Sequence, residues 1–264
     1  MPDFIKVCEQ AARAGGDVLL KWQQRIQARE KGPKDLVTQA DIESQEVIQE
    51  ILLNAFPDHG FVGEEDPQDA AAGPPREGEY CWVVDPLDGT ANYVHGLQSF
   101  AVSIALRCGA DVVAGTVYDP IRDECYNAVQ GQGAWLNGTA IAVSGCRVLQ
   151  EALVAVSFPA NVPRDCEEIA GFIEVLHRSR AVRRLGSAAL NLSYLAAGRL
   201  DGYWASSVKI WDVAAGVLLV QEAGGVVSGL SGNAFDLDAP NLATAASSEL
   251  HAELMSVLTN LPER

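Results

Sequence analysis

Positive charge is scarce in this sequence. Lysine and arginine together number 19 against 35 aspartates and glutamates, which gives the 264-residue chain a formal net charge of -16 at pH 7. This balance argues against binding nucleic acid or an anionic membrane through a broad basic surface. An anionic substrate can still be bound if metal ions held by carboxylates reverse the sign of the charge locally.

Long apolar runs are also missing. No stretch reaches the ~18 consecutive apolar residues of a membrane span, and the N-terminus lacks the basic region and apolar run of a secretory leader. We therefore expect a cytoplasmic protein that does not contact membranes. With 48% hydrophobic residues, the chain can bury a sizeable core, either as one large domain or as two halves that share an interface.

Paired cysteines and clustered histidines are absent as well. The cysteines are scattered singly, so we expect small buried side chains instead of a zinc or redox site, with three disulfides as the less favoured alternative. They are Cys8, Cys81, Cys108, Cys125, Cys146 and Cys166. Of the four histidines, His95 alone lies within the motifs described below, which disfavours a mechanism based on histidine.

What the sequence does contain is an apolar run that leads directly into two carboxylates. Residues 82–90 are Trp-Val-Val-Asp-Pro-Leu-Asp-Gly-Thr. The valine pair before Asp85 is typical of the end of a buried strand, and Pro86 favours an extended backbone at Asp85. This carboxylate is therefore expected at the carboxyl end of a strand, where open α/β sheets place their sites.

The spacing of the two carboxylates predicts a bound cation. Asp85 and Asp88 repel each other, and a fold that keeps both near one point usually does so around a positive ion. Oxygen ligands favour Mg²⁺, with Mn²⁺ and Ca²⁺ as alternatives. Gly89 permits a sharp turn, and Thr90 is suited to cap a short helix whose free N–H groups would face an anion. The other interpretation is a polar turn with an Asx bend and a helix cap, and the motif alone does not decide.

Two helices are predicted before this motif. Apolar residues at helical spacing between Phe4 and Ile26 indicate a long N-terminal helix. A second helix is expected after the segment 35–41 and extends to Ala55. Asp41 has two interpretations, as a helix-start carboxylate that interacts with the macrodipole or as a group aimed at a metal site, and local sequence does not choose between them.

Short strands are expected through the rest of the first half. A strand at residues 61–63 ends in the acids Glu64 and Glu65, and residues 66–79 are rich in alanine, proline, glycine and acids, which is typical of a mobile loop or lid. An antiparallel meander is expected over residues 101–108, 112–118 and 124–129, followed by a turn at 131–138.

The pattern changes beyond about residue 150, where strands and helices alternate in the manner of a layered α/β structure. Strands are predicted at residues 153–157, 181–185 and 200–204, and helices at 167–178 and 187–197. Asp212 fits a helix cap. We expect an N-terminal α+β half, residues 1–150, and a C-terminal α/β half, residues 151–264, that function as one compact unit.

Acids from both halves lie at strand ends or helix starts, so side chains from distant segments can converge. Gly63-Glu64-Glu65, residues 82–90 and the Trp-Asp-Val-Ala-Ala-Gly of 211–216 resemble, in that order, the signatures of the inositol monophosphatase family of metal-dependent, lithium-sensitive phosphatases. Further blocks of the family are matched at residues 35–41, 186–189 and 222–225. The similarity runs from about residue 4 to the C-terminus.

This resemblance implies a five-layer αβαβα sandwich, usually a homodimer, that hydrolyses a phosphate monoester with two to three Mg²⁺ ions, Mn²⁺ being possible. Inositol monophosphate is the first expected substrate, and a metal-activated water is the expected nucleophile. Most of the metal ligands would come from the first half. By motif, the first ion is held by Glu64, Asp85 and the Leu87 carbonyl, the second by Asp85, Asp88 and Asp212, and a weaker third by Glu64 and Glu65.

The resemblance also implies roles in catalysis and substrate binding. Asp41 and Thr90 match the pair that orients the metal-bound water, and Glu64 is expected to act in catalysis with them. The substrate side is matched by Asp88, Gly89, Thr90, Ser187, Ala188 and Asp212. Two metals about 4 Å apart can clamp the attacking and leaving oxygens of an in-line displacement, which suits a reaction that depends on charge neutralisation.

One departure from the family concerns the substrate. Many members carry a glutamate seven residues before the Trp-Asp aspartate, where it hydrogen-bonds inositol hydroxyls, but this sequence has Ala205. Ser206 or Ser207 could compensate. Alternatively, the ester is another sugar, histidinol or nucleotide phosphate. A catalytically silent scaffold that binds a metal or a partner is a further possibility, against which the intact acids argue.

Overall fold

Five layers, alternating helix and sheet, make up the part of the chain that the computed structural model describes, which is residues 4–23, 28–32, 35–66, 76–159 and 161–261. The expected αβαβα class is confirmed. Within these ranges no helix combines the length and the apolar character needed to cross a membrane.

The first layer consists of two helices, α1 (Phe4–Trp22) and α2 (Gln39–Ala55), which pack on one face of the larger sheet. Both predicted helices are confirmed, although α1 ends at Trp22 and Ile26 lies outside the described residues. A small antiparallel hairpin of β1 (Ala28–Gly32) and β2 (Asp35–Thr38) precedes α2. This hairpin was not predicted from the sequence.

Within the described residues, the larger sheet has seven strands in chain order. They are β3 (Gly60–Gly63), β4 (Tyr80–Asp88), β5 (Ala101–Cys108), β6 (Asp111–Asp119), β7 (Glu124–Val129), β8 (Gly133–Leu136) and β9 (Thr139–Ala140). Strands β5, β6 and β7 form the predicted antiparallel meander, which β4 and β8 extend on either side, and β8 lies in the expected turn at 131–138. The parallel pair β3 and β4 aligns Gly63 with Val84, so the next residues, Glu64 and Asp85, emerge side by side.

A bulge interrupts β4 between its two aspartates. Asp85 pairs with Ser103 and Asp88 with Ala101, so three steps along β4 oppose two steps along β5. In a regular strand, residues three apart point to opposite faces of the sheet. The extra residue in β4 shifts the alternation of side chains by one position. Both carboxylates can therefore point to the same side of the sheet.

The middle layer contains α5 (Ala188–Ala196) and α6 (Ile210–Glu222), which are buried between the two sheets, and the short α3 (Thr90–Val94) follows β4. Small residues let these helices approach closely. A Cβ added to Gly216 of α6 would lie 2.6 Å from the Cβ of Leu192 in α5. The packed layer fixes the position of the α6 start, and hence of Asp212, relative to the larger sheet.

The smaller sheet has the order β11-β10-β12-β14-β13 and is covered on its outer face by α4 (Glu167–Arg178) and α7 (Ser248–Thr259). Its strands are β10 (Leu153–Ser157), β11 (Ala181–Arg183), β12 (Gly202–Ala205), β13 (Val226–Ser228) and β14 (Leu242–Ala245). Alternation along the strands divides the side chains, so that Ala155, Tyr203 and Ala205 face the middle helices whereas Trp204 faces the outer layer.

Candidate metal centre

Three carboxylates from distant segments converge in the structure. Glu64 follows β3, Asp85 lies in β4 and Asp212 lies in the first turn of α6. One oxygen from each carboxylate lies within 4.8 Å of the oxygens of the other two. Asp85 is 1% exposed, whereas Glu64 and Asp212 remain partly exposed and leave the cluster open on one side. The three carboxylates therefore form a small group of oxygen ligands near the carboxyl end of β3 in the larger sheet.

The electrostatics of this cluster favour a cation. Burial raises the pKa of Asp85 well above its ordinary value, and the charges of Glu64, Asp88 and Asp212 raise it further, against a hydrogen bond from the Leu87 N–H at 2.9 Å. Burial and then the charge of Asp88 raise the pKa of Asp212 to about 8. Within the described ranges neither Asp85 nor Asp212 forms an ion pair. A divalent cation would supply the missing positive charge, and an all-oxygen set suits a hard ion such as Mg²⁺.

Asp212 stabilises a helix start as well as belonging to the cluster. It is the third residue of α6, and its Oδ2 accepts a hydrogen bond from the Lys209 N–H at 2.7 Å. The prediction that Asp212 occupies the cap position of this helix is therefore corrected. Lys209 occupies the N-cap position, and Asp212 lies three residues after it. The Lys209 hydrogen bond holds one oxygen of Asp212 in place and leaves the other available to the cluster.

Asp88 has a different environment from its neighbour in the motif. Its carboxylate accepts a hydrogen bond from the Ser187 hydroxyl and from the N–H groups of Ala188 at 3.2 Å and Ala189 at 2.7 Å. Burial raises its pKa to about 6, and these hydrogen bonds lower it. The structure thus brings Asp88, Ser187 and Ala188 together at the start of α5. Asp88 lies beside the three-carboxylate cluster, and its role as a ligand stays a prediction.

Thr90 joins the central motif to Asp41. Its hydroxyl lies 3.1 Å from the Leu87 carbonyl oxygen and 3.3 Å from Asp41 Oδ1, and it can donate to either. Asp41 is almost fully buried, and its Oδ2 accepts hydrogen bonds from the N–H of Thr38 at 2.8 Å and from the Thr38 hydroxyl at 2.5 Å. One oxygen of Asp41 therefore stabilises the start of α2 and the other contacts Thr90, and a role of Asp41 toward a metal site stays a prediction.

The prediction that Thr90 caps a helix is wrong. Thr90 is the first residue of α3, and Gly89 occupies the N-cap position with a left-handed φ of 96°. A Cβ at Gly89 would lie 2.9 Å from the Ser99 carbonyl oxygen. Only glycine satisfies both demands, the positive φ and the close approach. The Thr90 hydroxyl is consequently directed to Asp41 and Leu87.

The remaining predicted ligands lie close by. Leu87 is fully buried, and its carbonyl oxygen accepts from Thr90. The Glu65 N–H donates to Gln45 Oε1 at 2.9 Å, and Glu65 does not belong to the three-carboxylate cluster. No other group of three or more potential metal-ligating side chains is found among the residues that the structure describes.

The structure separates two residues that the sequence placed together. Ala205 is fully buried on the inner face of β12. Ser206 lies on the outer side, where it lines a cavity of about 670 Å³ with Glu167, Leu230 and Leu258 among others. The Ser206 hydroxyl therefore does not replace the missing acceptor on the substrate side. Ser157 and Tyr203, which the sequence analysis passed over, lie on the inner face, and strand alternation at 203 and 205 was the available signal.

Sequence comparison decides the family. The model of the inositol monophosphatase family matches residues 2–263. The chain belongs to this family. Relatives of this inositol monophosphatase family member include "Nus factor SuhB" of Pseudomonas aeruginosa, 36% identical over 269 residues that cover 99% of this chain and 98% of the relative. Another is "Inositol-1-monophosphatase" of Mesorhizobium japonicum, 40% identical over 239 residues, 89% of this chain and 88% of the relative.

Solved structures agree with this assignment. The extragenic suppressor protein suhB from Bartonella henselae superposes with a TM-score of 0.88 at 36% identity, covering 97% of this chain and 98% of that chain. The inositol monophosphatase from Anabaena superposes with a TM-score of 0.86 at 34% identity, covering 98% and 96%. The family fold therefore extends over the whole described part of this inositol monophosphatase family member.

Proposed function

We propose that this chain hydrolyses a phosphate monoester of a small alcohol with Mg²⁺ as cofactor, and that inositol monophosphate is the first candidate substrate. The convergence of Glu64, Asp85 and Asp212 supports the proposal most directly, because the charge of Glu64 adds to the raised pKa of both Asp85 and Asp212, and Asp85 is buried. Such a cluster binds a divalent cation, and bound cations reverse the local charge so that an anionic phosphate can approach.

The donor set fits Mg²⁺. Glu64, Asp85 and the Leu87 carbonyl would hold one ion, and Asp85, Asp88 and Asp212 a second, with Glu65 near a weaker third. Asp88 can contribute although its carboxylate is hydrogen-bonded, since the longest of its contacts, 3.2 Å from Ala188, leaves a lone pair on Oδ1. When bound, Mg²⁺ supplies Lewis-acid neutralisation of the phosphoryl charge.

The chain's own residues would position the water and the ester. Asp41 accepts the Thr90 proton, which leaves the lone pairs of the Thr90 oxygen free to orient an attacking water. Asp41 is itself fixed by Thr38, so this pair is held before the substrate arrives. At Gly89 the missing side chain lets phosphate oxygens approach the first N–H groups of α3.

The identity of the alcohol is the open part of the proposal. The family's usual glutamate is replaced by Ala205, whose side chain offers no hydrogen bond. Esters of other sugars, of histidinol or of nucleosides therefore belong in the test beside inositol monophosphate.

Phosphate release by the purified protein tests the proposal. The protein is freed of metal with EDTA, supplied with increasing Mg²⁺, and assayed with inositol 1-phosphate, fructose 1,6-bisphosphate, histidinol phosphate and adenosine 3′,5′-bisphosphate. We expect Mg²⁺-dependent release from at least one ester, loss of it in Asp85→Asn, and normal rates in Asp17→Asn, a carboxylate on the exposed face of α1. Absence of Mg²⁺-dependent release from every ester would contradict the proposal.

A second candidate is a partner-binding role, which the name "Nus factor SuhB" of several relatives favours. On this proposal the fold contacts another macromolecule, with or without catalysis. Pull-down by the wild-type protein and by Asp85→Asn separates the two functions, because a partner that binds both equally does not depend on the catalytic acids.

A further inference from the structure

One wall beside the acids is formed by the ends of two parallel strands. β10 and β12 pair in register, with Ser157 opposite Ala205 and Ala155 opposite Tyr203. Residues opposite each other in a parallel pair point to the same face. Ala155, Tyr203 and Ala205 all pack among the middle helices, so Ser157 projects to that face as well. It therefore stands beside the position where the family's usual acceptor is missing.

Ser157 is the accessible polar group of this wall. Tyr203 and Ala205 are fully buried, whereas Ser157 is partly exposed. The Tyr203 hydroxyl donates to the Ser157 oxygen at 3.0 Å. A serine hydroxyl has one donor and two acceptor sites, so Ser157 keeps its own proton and one lone pair for another molecule. Tyr203 fixes the direction in which they point.

The Ser157–Tyr203 pair lies on the same side of the sheet as the metal centre. Burial raises the pKa of Tyr203, and the charges of Asp88 and Asp212 raise it further, as expected if the phenol lies near these carboxylates. Asn191, one turn beyond Ser187 in α5, is fully buried, and its amide acts on the Tyr203 hydroxyl, which lowers the pKa of that group. The layer beneath the acids is thus polar.

We propose that Ser157 recognises a hydroxyl of the substrate's alcohol in place of the acceptor missing at Ala205, with Tyr203 as its positioning residue. The inference rests on the proposed phosphatase function and narrows its substrate class to phosphate monoesters of polyols with a free hydroxyl near the ester. A neutral serine both donates and accepts, whereas a carboxylate only accepts. The site therefore accepts more than one orientation of the hydroxyl, which favours a range of polyol phosphates over one stereoisomer.

Paired esters and matched serine variants test this inference. Inositol 1-phosphate carries hydroxyls beside its ester, and phenyl phosphate carries none. We expect Ser157→Ala to lower kcat/KM for inositol 1-phosphate about three- to tenfold, the scale of one neutral hydrogen bond, and to leave phenyl phosphate unchanged. Ser206→Ala is the matched control, because its hydroxyl lies on the outer side near the same strand end, and it should change neither ester. Equal losses on both esters, or no loss on either, would overturn the proposal.

Tyr203→Phe separates positioning from structure. It removes the hydroxyl that fixes Ser157 and retains the ring, so KM for inositol 1-phosphate should rise with little change in kcat and with no change for phenyl phosphate. A uniform fall in kcat for both esters would assign Tyr203 a purely structural role and contradict the proposal.

Binding distinguishes failure of this inference from failure of the proposed function. If the wild-type protein hydrolyses neither these two esters nor any other ester of the panel above, the proposed function fails, and calorimetric titration of inositol 1-phosphate into the wild type and Ser157→Ala decides the role of Ser157 separately. Weaker binding to the variant supports the role, and equal affinities or no binding overturn it.

Discussion

Carboxylates occur in two contrasting settings in this fold. Asp238 faces the buried Arg107, whose guanidinium donates to both of its oxygens at 2.6 and 2.8 Å. This pairing lowers the pKa of Asp238. At the metal centre the same type of side chain behaves in the opposite way, since burial and neighbouring acids raise the pKa of Asp85 and Asp212.

The difference lies in the cation and not in the residue type. Arg107 is a built-in cation that also donates to the Gly109 carbonyl, so its pair with Asp238 links β5 to the 229–241 segment and contributes to stability. Asp85 and Asp212 are held together without such a partner in the described ranges, which costs stability until an external cation binds. The first arrangement is structural, and the second is suited to binding.

The largest expected effect is that of Asp85→Asn on activity. Removing this charge should lower turnover roughly 10²–10³-fold, the scale for one electrostatic group in a preorganised site. In metal-free buffer the same variant should unfold at a higher temperature than the wild type, because repulsion inside the cluster is relieved. Phosphate release and thermal melting measure the two effects. A variant that keeps its activity would remove Asp85 from the mechanism.

Next in size is the response to Mg²⁺. Any ligand that binds only the folded state stabilises it, by about 2.7 kcal/mol at a hundredfold excess over its Kd. We expect urea unfolding midpoints of the wild type to rise with Mg²⁺ and those of Asp85→Asn to rise much less. Equal responses of the two proteins would place the ion elsewhere.

Asp238→Asn should show the reverse pattern to Asp85→Asn. Loss of the charge that faces Arg107 should destabilise the fold by about 1–2 kcal/mol, less than a fully buried pair would cost, because the Asp238 side chain is 46% exposed. Turnover should be unchanged. Urea unfolding and phosphate release, measured on one preparation, check the loss of stability and the unchanged turnover. A large loss of turnover would contradict the purely structural role of Asp238.

The last prediction concerns a difference in pH dependence. An unfolded aspartate titrates near 3.8, and the folded pKa of Asp212 is about 8. Between these values the folded state retains a proton that the unfolded state releases, so the unfolding free energy of the metal-free protein should fall as the pH rises. For Asp238 the folded pKa is lowered, so its contribution is lost only as the pH falls through that value. Urea unfolding across this range should show a flatter profile for Asp212→Asn, and an unchanged slope would contradict the assignment.

Local patterns were sufficient to predict much of the fold. Alternation and helical spacing placed β5, β7, β10 and α4 at the residues where the structure has them, because each buries one continuous face. Strand β14 was not predicted, since Leu-Ala-Thr-Ala is a weak strand signal and its place depends on β12, about 40 residues earlier. Non-local pairing of this kind leaves little mark on the sequence.

The site was predictable where it depends on strand ends and not where it depends on distant contacts. The convergence of Glu64, Asp85 and Asp212 agrees with their expected positions. The environment of Asp88 could not be derived locally, because it is set by Ser187, 99 residues away. The assignment of Thr90 as a cap failed because Gly89, constrained by Ser99, starts the helix.

The bulge in β4 makes residue count, as well as residue identity, part of the site. Between Asp85 and Asp88 the chain contains one residue more than the ladder with β5 requires. The Pro86 carbonyl accepts from Ser44 at 3.1 Å and the Leu87 carbonyl from Thr90 at 3.1 Å, so α2 and α3 are tied to the irregular segment. Deleting one residue here would keep both aspartates but would remove the bulge, and with it the backbone course that brings the Pro86 and Leu87 carbonyls to α2 and α3. The segment between Asp85 and Asp88 should therefore tolerate some substitutions but not a change in its length.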